Sequence, residues 1–261
     1  MNQANLSKLT DGSYESCYWL GFLLADGHFS KRNRLEVELS LKDEDHLKKY
    51  ATYIEFRGDF HYRRRSCMAG VSDHEMVPRI CAQYGIHSNK TCHPPEHAMF
   101  EGLTDLQIVC LFIGFIDGDG SLTNDKGRRN TCNLSLAGHK NSLSLLTYFV
   151  SRVAHASNIG IAFPTIRQTK RGDYAQFQVR NHALNKFLKQ TALDLKLPIM
   201  DRKWRQIDMK LVTGTERRKM FEPEIRKMLS EQTPVSIIAS KLGVKDWFIY
   251  NLIKDRKLQT V

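Results

Sequence analysis

The sequence predicts an α+β protein built from two copies of one unit, followed by a small all-helical tail. Three observations predict it. The stretch WLGFLLADGHF (19–29) returns as FIGFIDGDGSL (112–122), with Gly21/Gly114, Phe22/Phe115, Asp26/Asp119 and Gly27/Gly120 identical at one constant offset. After each copy, runs that alternate apolar and polar residues give way to runs with helical spacing. Beyond residue 212 the composition shifts to charged, helix-forming residues.

The elements follow in order. The first repeated stretch is apolar nearly all round and reads as a buried helix ending at Asp26. RLEVELSLK (34–42) sets Leu35, Val37, Leu39 and Leu41 against Arg34, Glu36, Glu38, Ser40 and Lys42, the alternation of a half-buried strand. DEDHLKKYATYI reads as a helix, GDFHYRRR with CMAGVSD as a hairpin, and HEMVPRICAQYG as a closing helix. The second half repeats this order in TCNLSLAG, NSLSLLTYFVSRVA, PTIRQTK, the turn RGD, YAQFQVR and HALNKFLKQTA. Each half therefore reads helix, strands, helix, strands, helix, with one polar sheet face. The halves meet near HPPEHAMFEGLTD (93–105), where Pro94 and Pro95 forbid a continuing helix. The expected domains are 1–104, 105–212 and 213–261, and two homologous halves imply a pseudo-twofold axis.

In 261 residues, 41% hydrophobic, there is ample apolar material for a core. The 39 Lys and Arg against 28 Asp and Glu leave a net charge of +11, which draws the chain to polyanions. No segment has the apolar length that spans a bilayer, and MNQANLSKL lacks the basic-then-apolar order of a secretory signal. Nucleic acid is thus favoured over membrane. Six cysteines without a CxxC pair read as reduced thiols in an intracellular setting: bacterial or phage-infected cytoplasm, or an organelle.

The repeated motif poses an electrostatic question. A helix C-terminus already presents unpaired carbonyls, so an aspartate there is disfavoured by a few tenths to about 1 kcal/mol. Gly21 and Gly114, midway along their helices, would let two backbones approach closely and set Asp26 beside Asp119. Such a pair needs a cation or a shared proton. A hard divalent ion suits carboxylate and carbonyl oxygens, whereas proton sharing would leave the basic charge and polar strands unexplained. A glycine after each aspartate also suits a left-handed helix cap.

GFLLADG and GFIDGDG resemble the signature of the LAGLIDADG homing endonucleases in their two-motif, single-chain form, over about residues 14–212. The resemblance implies two αββαββα halves with the signature helices packed at their interface and polar sheets facing the major groove of double-stranded DNA. It further implies a monomeric, Mg²⁺-dependent endonuclease hydrolysing one phosphodiester per strand and leaving short 3′ overhangs. Mn²⁺ would substitute, and Ca²⁺ would bind without supporting cleavage. The metal would be held by Asp26 and Asp119 with the Ala25 and Gly118 carbonyls. Asp26, Asp119 and Lys42 would form the catalytic set, Lys42 being equally readable as an exposed lysine near a helix start. In the second half Gly138 stands at the lysine position, with His139 and Lys140 beside it, so the two sites are expected to be unequal. The first half has Leu24 where the second has Asp117, which reads as a helix-end or interface residue.

Direct base reading is expected from Arg34, Glu36, Glu38, Gln176, Gln178 and Arg180, since Arg suits guanine, Gln adenine and Glu the cytosine amino group. Arg63, Arg65, Arg128 and Arg167, on or beside the basic loops SKRNR, RRR, NDKGRRN and TKRG, are placed to hold phosphates; a solvated basic face is the alternative for each. In the tail, Ile238, Ala239, Leu242, Gly243, Val244, Ile249 and Leu252 fit the apolar and turn positions of a helix-turn-helix, with Thr233 as cap before Pro234. Its second helix would offer Lys245, Tyr250, Asn251 and Lys254 to DNA. Cys81, His87, Cys92, His93 and His97 match no zinc spacing. A non-cleaving regulator that joins this motif to a helix-turn-helix, and an RNA-splicing maturase, remain as alternatives.

Overall fold

The computed structural model describes residues 4–124, 132–160, 165–168, 173–179, 181–212 and 214–256. The chain divides into two compact units, 1–209 and 210–261. In the larger one, helix α1 (Tyr14–Asp26) begins where the Ser13 hydroxyl accepts from the Ser16 amide at 3.1 Å. Every residue from Ser16 to Leu24 is buried, as an apolar circumference requires. The chain then forms β1 (Gly27–Ser30), β2 (Arg34–Ser40), α2 (Glu44–Tyr53), β3 (His61–Tyr62), β4 (Ser66–Ser72) and α3 (Met76–Tyr84). The second half repeats this as α4 (Asp105–Asp119), β5 (Gly120–Asn124), β6 (Cys132–His139), α5 (Leu143–Ser157), β7 (Thr165–Gln168), β8 (Tyr174–Val179) and α6 (His182–Asp194). A further short helix, α7 (Asp201–Trp204), follows it. Helix α4 opens with a reciprocal capping box between Thr104 and Gln107.

The two antiparallel sheets have matching orders, β1-β2-β4-β3 and β5-β6-β8-β7. In β2, Leu35, Val37 and Leu39 are buried while Arg34, Glu36, Glu38 and Ser40 lie on the other face; in β8, Ala175, Phe177 and Val179 are buried while Gln176 and Gln178 are not. One polar face per sheet is therefore observed, as the alternation requires.

The halves meet along α1 and α4. A Cβ at Gly21 would lie 1.8 Å from the Leu111 carbonyl oxygen, and one at Gly114 would lie 1.8 Å from that of Tyr18. Tyr18 corresponds to Leu111 as Gly21 does to Gly114, so the contact is reciprocal, which is the mark of a twofold relation. The glycines that end these helices act differently from a left-handed cap. Gly27 (φ −72°) and Gly120 (φ −83°) are extended and open β1 and β5 directly. A Cβ there would come within 2.6 Å of the Leu23 carbonyl and 2.5 Å of the Ile116 carbonyl, so a close backbone approach, rather than positive φ, selects glycine.

The 210–261 unit has its own core. Helix α8 (Gly214–Ser230) supplies Ile225, Met228 and Leu229, α9 (Val235–Leu242) supplies Ile238 and Ala239, and α10 (Asp246–Arg256) supplies Phe248, Ile249 and Leu252. Pro234, rather than Thr233, holds the cap position of α9, and Gly243 at φ +62° ends it.

Because the Gly21 and Gly114 clashes are with backbone, no side-chain rotation relieves them. Gly21→Ala or Gly114→Ala should cost about 3 kcal/mol, the upper part of the overpacking range, and lower the melting temperature of the larger unit by roughly 6–12 °C in calorimetry.

Candidate active site

Helices α1 and α4 end side by side. A Cβ on Gly118 would lie 2.3 Å from the Ala25 Cβ and 3.4 Å from the Asp26 Cγ, so the bare glycine is what lets the two termini touch. Asp26 is half-buried, and Asp119 is open to solvent although crowded by protein. Among the described residues no hydrogen-bond donor reaches either carboxylate. Burial, then the charge of Asp119, pushes Asp26 up to about 6 against the pull of Lys203 and Lys90. Burial likewise raises Asp119, opposed first by Lys90 and then by Lys203.

The cations that this site demands are two lysines, Lys203 buried and Lys90 half-buried. Lys90 Nζ donates to the Leu24 and Ala25 carbonyls at 2.7 and 2.6 Å. Lys203 Nζ donates to those of Ile116, Asp117 and Gly118 at 3.1, 2.5 and 2.9 Å. Each ammonium thus caps the last turn of its own half's helix, satisfying carbonyls that the helix leaves unpaired. Burial lowers both lysines below the ordinary ammonium range.

Sequence reasoning missed this pair. Lys42 is exposed on the turn Leu41–Asp43 after β2, while its neighbour Asp43 is buried and forked onto Arg202. Gly138 and His139 line a cavity of about 50 Å³ beside Lys90 and Asp119, and Lys140 pairs with Asp173 at 2.9 Å on the surface. The Ala25 and Gly118 oxygens, expected as metal ligands, each accept from a lysine. The two carboxylates accept from no donor among the described residues and fit Mg²⁺: it commonly takes one or two carboxylates and completes its shell with water and substrate phosphate. Asp117 is an interface residue, fully buried among donors.

On the sheets, Arg34 Nε donates to Glu36 at 2.7 Å, and Arg63 pairs with Glu38 at 3.0 Å. Gln176 donates to Ser135 Oγ at 2.8 Å and Gln178 to Gln176 at 3.2 Å. Arg65 is exposed. Arg128 and Arg180 lie outside the described residues, as do the side chain of Arg167 and most of NDKGRRN and TKRG. In the tail, Lys245, Tyr250, Asn251 and Lys254 are exposed, and so is Trp247, which sequence reasoning left out. All six cysteines are free. Among the described residues no three His, Cys, Asp or Glu gather as a metal site, and no helix is long and apolar enough to cross a membrane.

No family model and no curated protein matches the chain. Solved structures resemble it distantly. I-SmaMI bound to uncleaveable DNA with a TTCT central four is 12% identical, over 87% of this chain and 96% of that one, with a TM-score of 0.48. The LAGLIDADG meganuclease I-AabMI bound to uncleaved DNA is 12% identical over 80% and 91%, at 0.48. The LAGLIDADG homing endonuclease I-GzeII in complex with its DNA target is 13% identical over 91% and 95%, at 0.41. Likeness of this degree leaves function to the chemistry of the site itself.

An acid raised by folding stabilises fully below its unfolded value, near 3.9 for aspartate, and that stability is lost as pH rises through about 6 for Asp26. At pH 8 the Asp26→Asn/Asp119→Asn double variant should therefore melt above the wild type, the gap closing below about pH 4. A divalent ion at a hundred times its dissociation constant should stabilise the wild type by about 2.7 kcal/mol, and calorimetry should show no such gain in the double variant.

Proposed function

We propose that the chain is a site-specific, double-strand DNA endonuclease that uses a divalent metal and acts as a monomer, since one chain supplies both halves of the site. The observation that carries this is the pair of carboxylates at two abutting helix ends, flanked by the ammonium groups of buried Lys203 and half-buried Lys90. Asp26 and Asp119 would hold Mg²⁺, with Mn²⁺ as a substitute and Ca²⁺ binding without turnover. Such an ion, when bound, neutralises phosphate charge and acidifies water.

The chain's own residues do the rest. Lys90 and Lys203, with pKa values lowered by burial, sit where a phosphate crossing the two carboxylates would need a positive group. Each can hold the anionic phosphate or pass a proton to the departing sugar oxygen. One cut per strand, leaving a 3′-hydroxyl and a short 3′ overhang, is the expected product.

The polar faces of β2 and β8 suit base edges in the major groove. Arg34, Glu36, Glu38, Gln176 and Gln178 partner protein atoms in the free chain and would exchange these for bases. The tail is read as a helix-turn-helix. Gly243 turns the chain from α9 into α10, whose Trp247, Tyr250, Asn251 and Lys254 fall on one exposed helical stripe opposite the buried Phe248, Ile249 and Leu252. It would lengthen the recognised site.

A cleavage selection on a randomised long duplex in Mg²⁺ should return new ends with 3′ overhangs inside one long, partly symmetric sequence. Asp26→Asn or Asp119→Asn should slow cutting at least ~100-fold, as lost transition-state contacts do, while duplex binding persists. Bound but uncut DNA in Mg²⁺ would overturn the nuclease reading in favour of a regulator, and preference for structured RNA would favour a maturase. Removing 213–261 should shorten the footprint and leave cutting; an unaltered footprint would refute the tail's role.

A further inference from the structure

Each half holds its lysine on the segment after its closing helix, and the two segments are fixed very differently. In the second half, Asp117 is fully buried and accepts from Tyr18 OH at 2.6 Å, Trp204 Nε1 at 2.7 Å and the Met200 amide at 3.0 Å. Two of these three donors belong to the stretch that carries Lys203. The same stretch is tied to the first half by the Arg202–Asp43 fork and by Lys49 Nζ on the Ile199 carbonyl at 3.0 Å. Behind Tyr18 stands His46, 3.1 Å away. Since the one Tyr18 proton goes to Asp117, His46 must donate through Nε2. Burial and nearby cations push His46 down to about 3, so it remains neutral and the chain of donors ends in a fixed tautomer.

In the first half the position of Asp117 is taken by Leu24, which accepts nothing through its side chain. Leu24 lines the small cavity beside Lys90, together with Thr91, Pro94 and Pro95. Across the halves, Asn141 Nδ2 donates to the Cys92 carbonyl at 2.7 Å, on the surface. The network is packed on one side, and on the other there is room for a few waters.

We infer that Asp117 is a positioning residue that pre-sets Lys203 through Trp204 and the Met200 amide, and that the two cutting sites are consequently unequal, the Lys203 strand being cut first. This rests on the nuclease reading above. Both ammonium groups are hydrogen-bonded to helix-end carbonyls, but the segment that carries Lys203 is tied into the buried network whereas the one that carries Lys90 borders the cavity, so Lys203 better keeps its geometry when the phosphate arrives.

Two measurements test it. On a duplex recovered by the selection and labelled on each strand, wild-type protein should accumulate a nicked intermediate. Lys203→Met should slow the faster strand and Lys90→Met the slower one. Trp204→Phe and Tyr18→Phe should each slow the faster strand severalfold, and Asp117→Leu by 10-fold or more, with the slower strand unchanged. Equal cutting by the wild type, or equal slowing of both strands in these variants, overturns the inference, because lost stability alone would affect both. Independently of cleavage, acetic anhydride labelling read by mass spectrometry should find Lys203 protected in the wild type and severalfold more reactive in Trp204→Phe, with Lys90 unchanged. Unchanged Lys203 reactivity overturns the positioning role even if the chain cuts nothing; protected Lys203 that becomes reactive in a chain that cuts nothing keeps that role and removes the nuclease reading.

Discussion

The backbone contact between α1 and α4 is the constraint on which the rest depends. A 1.8 Å approach of a notional Cβ to a carbonyl leaves glycine as the residue that fits at both positions 21 and 114. Once the two helices touch there, their directions bring both C-termini together, and each terminus carries unpaired carbonyls and an aspartate. The site is therefore a concentration of negative potential imposed by packing. Burial raises both carboxylates, and the charge of Asp119 raises Asp26 further because the helices have no freedom to splay.

That concentration explains the otherwise costly burial of Lys203 and the partial burial of Lys90. A lysine ammonium removed from water is destabilising unless it is hydrogen-bonded and near opposite charge, and both conditions are met at Lys90 and Lys203. Each donates to helix-end carbonyls, and between them they offset the repulsion of Asp26 and Asp119. The compensation is partial, since Asp26 still stands near 6. What remains is an attraction for further positive charge at the carboxylates.

The fold was legible in the sequence because two period signals agree. The all-round apolar runs at 19–29 and 112–122 demanded buried helices, and the alternation in RLEVELS and YAQFQV demanded sheets with one wet face. The aspartates were legible because they repeat with those helices. The lysines were not, for a geometric reason. Lys203 follows Lys90 by 113 positions, whereas the motifs recur at 93, because the second half has a longer α5, 15 residues against 10 in α2, and a longer path after α6. At the motif's offset Lys90 meets Ala183, so the repeat does not lead to Lys203, and Lys42 is the lysine that the strand pattern offers. Aligning the halves helix by helix, from the ends of α3 and α6, would have pointed to the segments that hold both ammonium groups. The role of the motif glycines after each aspartate was misread for a related reason: a tight helix-to-strand turn and a left-handed cap both select glycine, and only the φ values separate them.

Duplication gave two similar halves, but Asp117 breaks their equivalence where it matters most. A buried carboxylate without donors would be strongly destabilising, and here three donors converge on it from α1, α7 and the strand-free chain between α6 and α7. The result links three elements through one side chain, so that the position of Lys203 is fixed by the same contacts that hold the two halves together. Leu24 can contribute only apolar packing, and the small void beside Lys90 is what that leaves. The firmer anchoring of the segment that carries Lys203 thus follows from a single difference in the motif, carried by hydrogen bonding rather than by any change in the aspartates themselves.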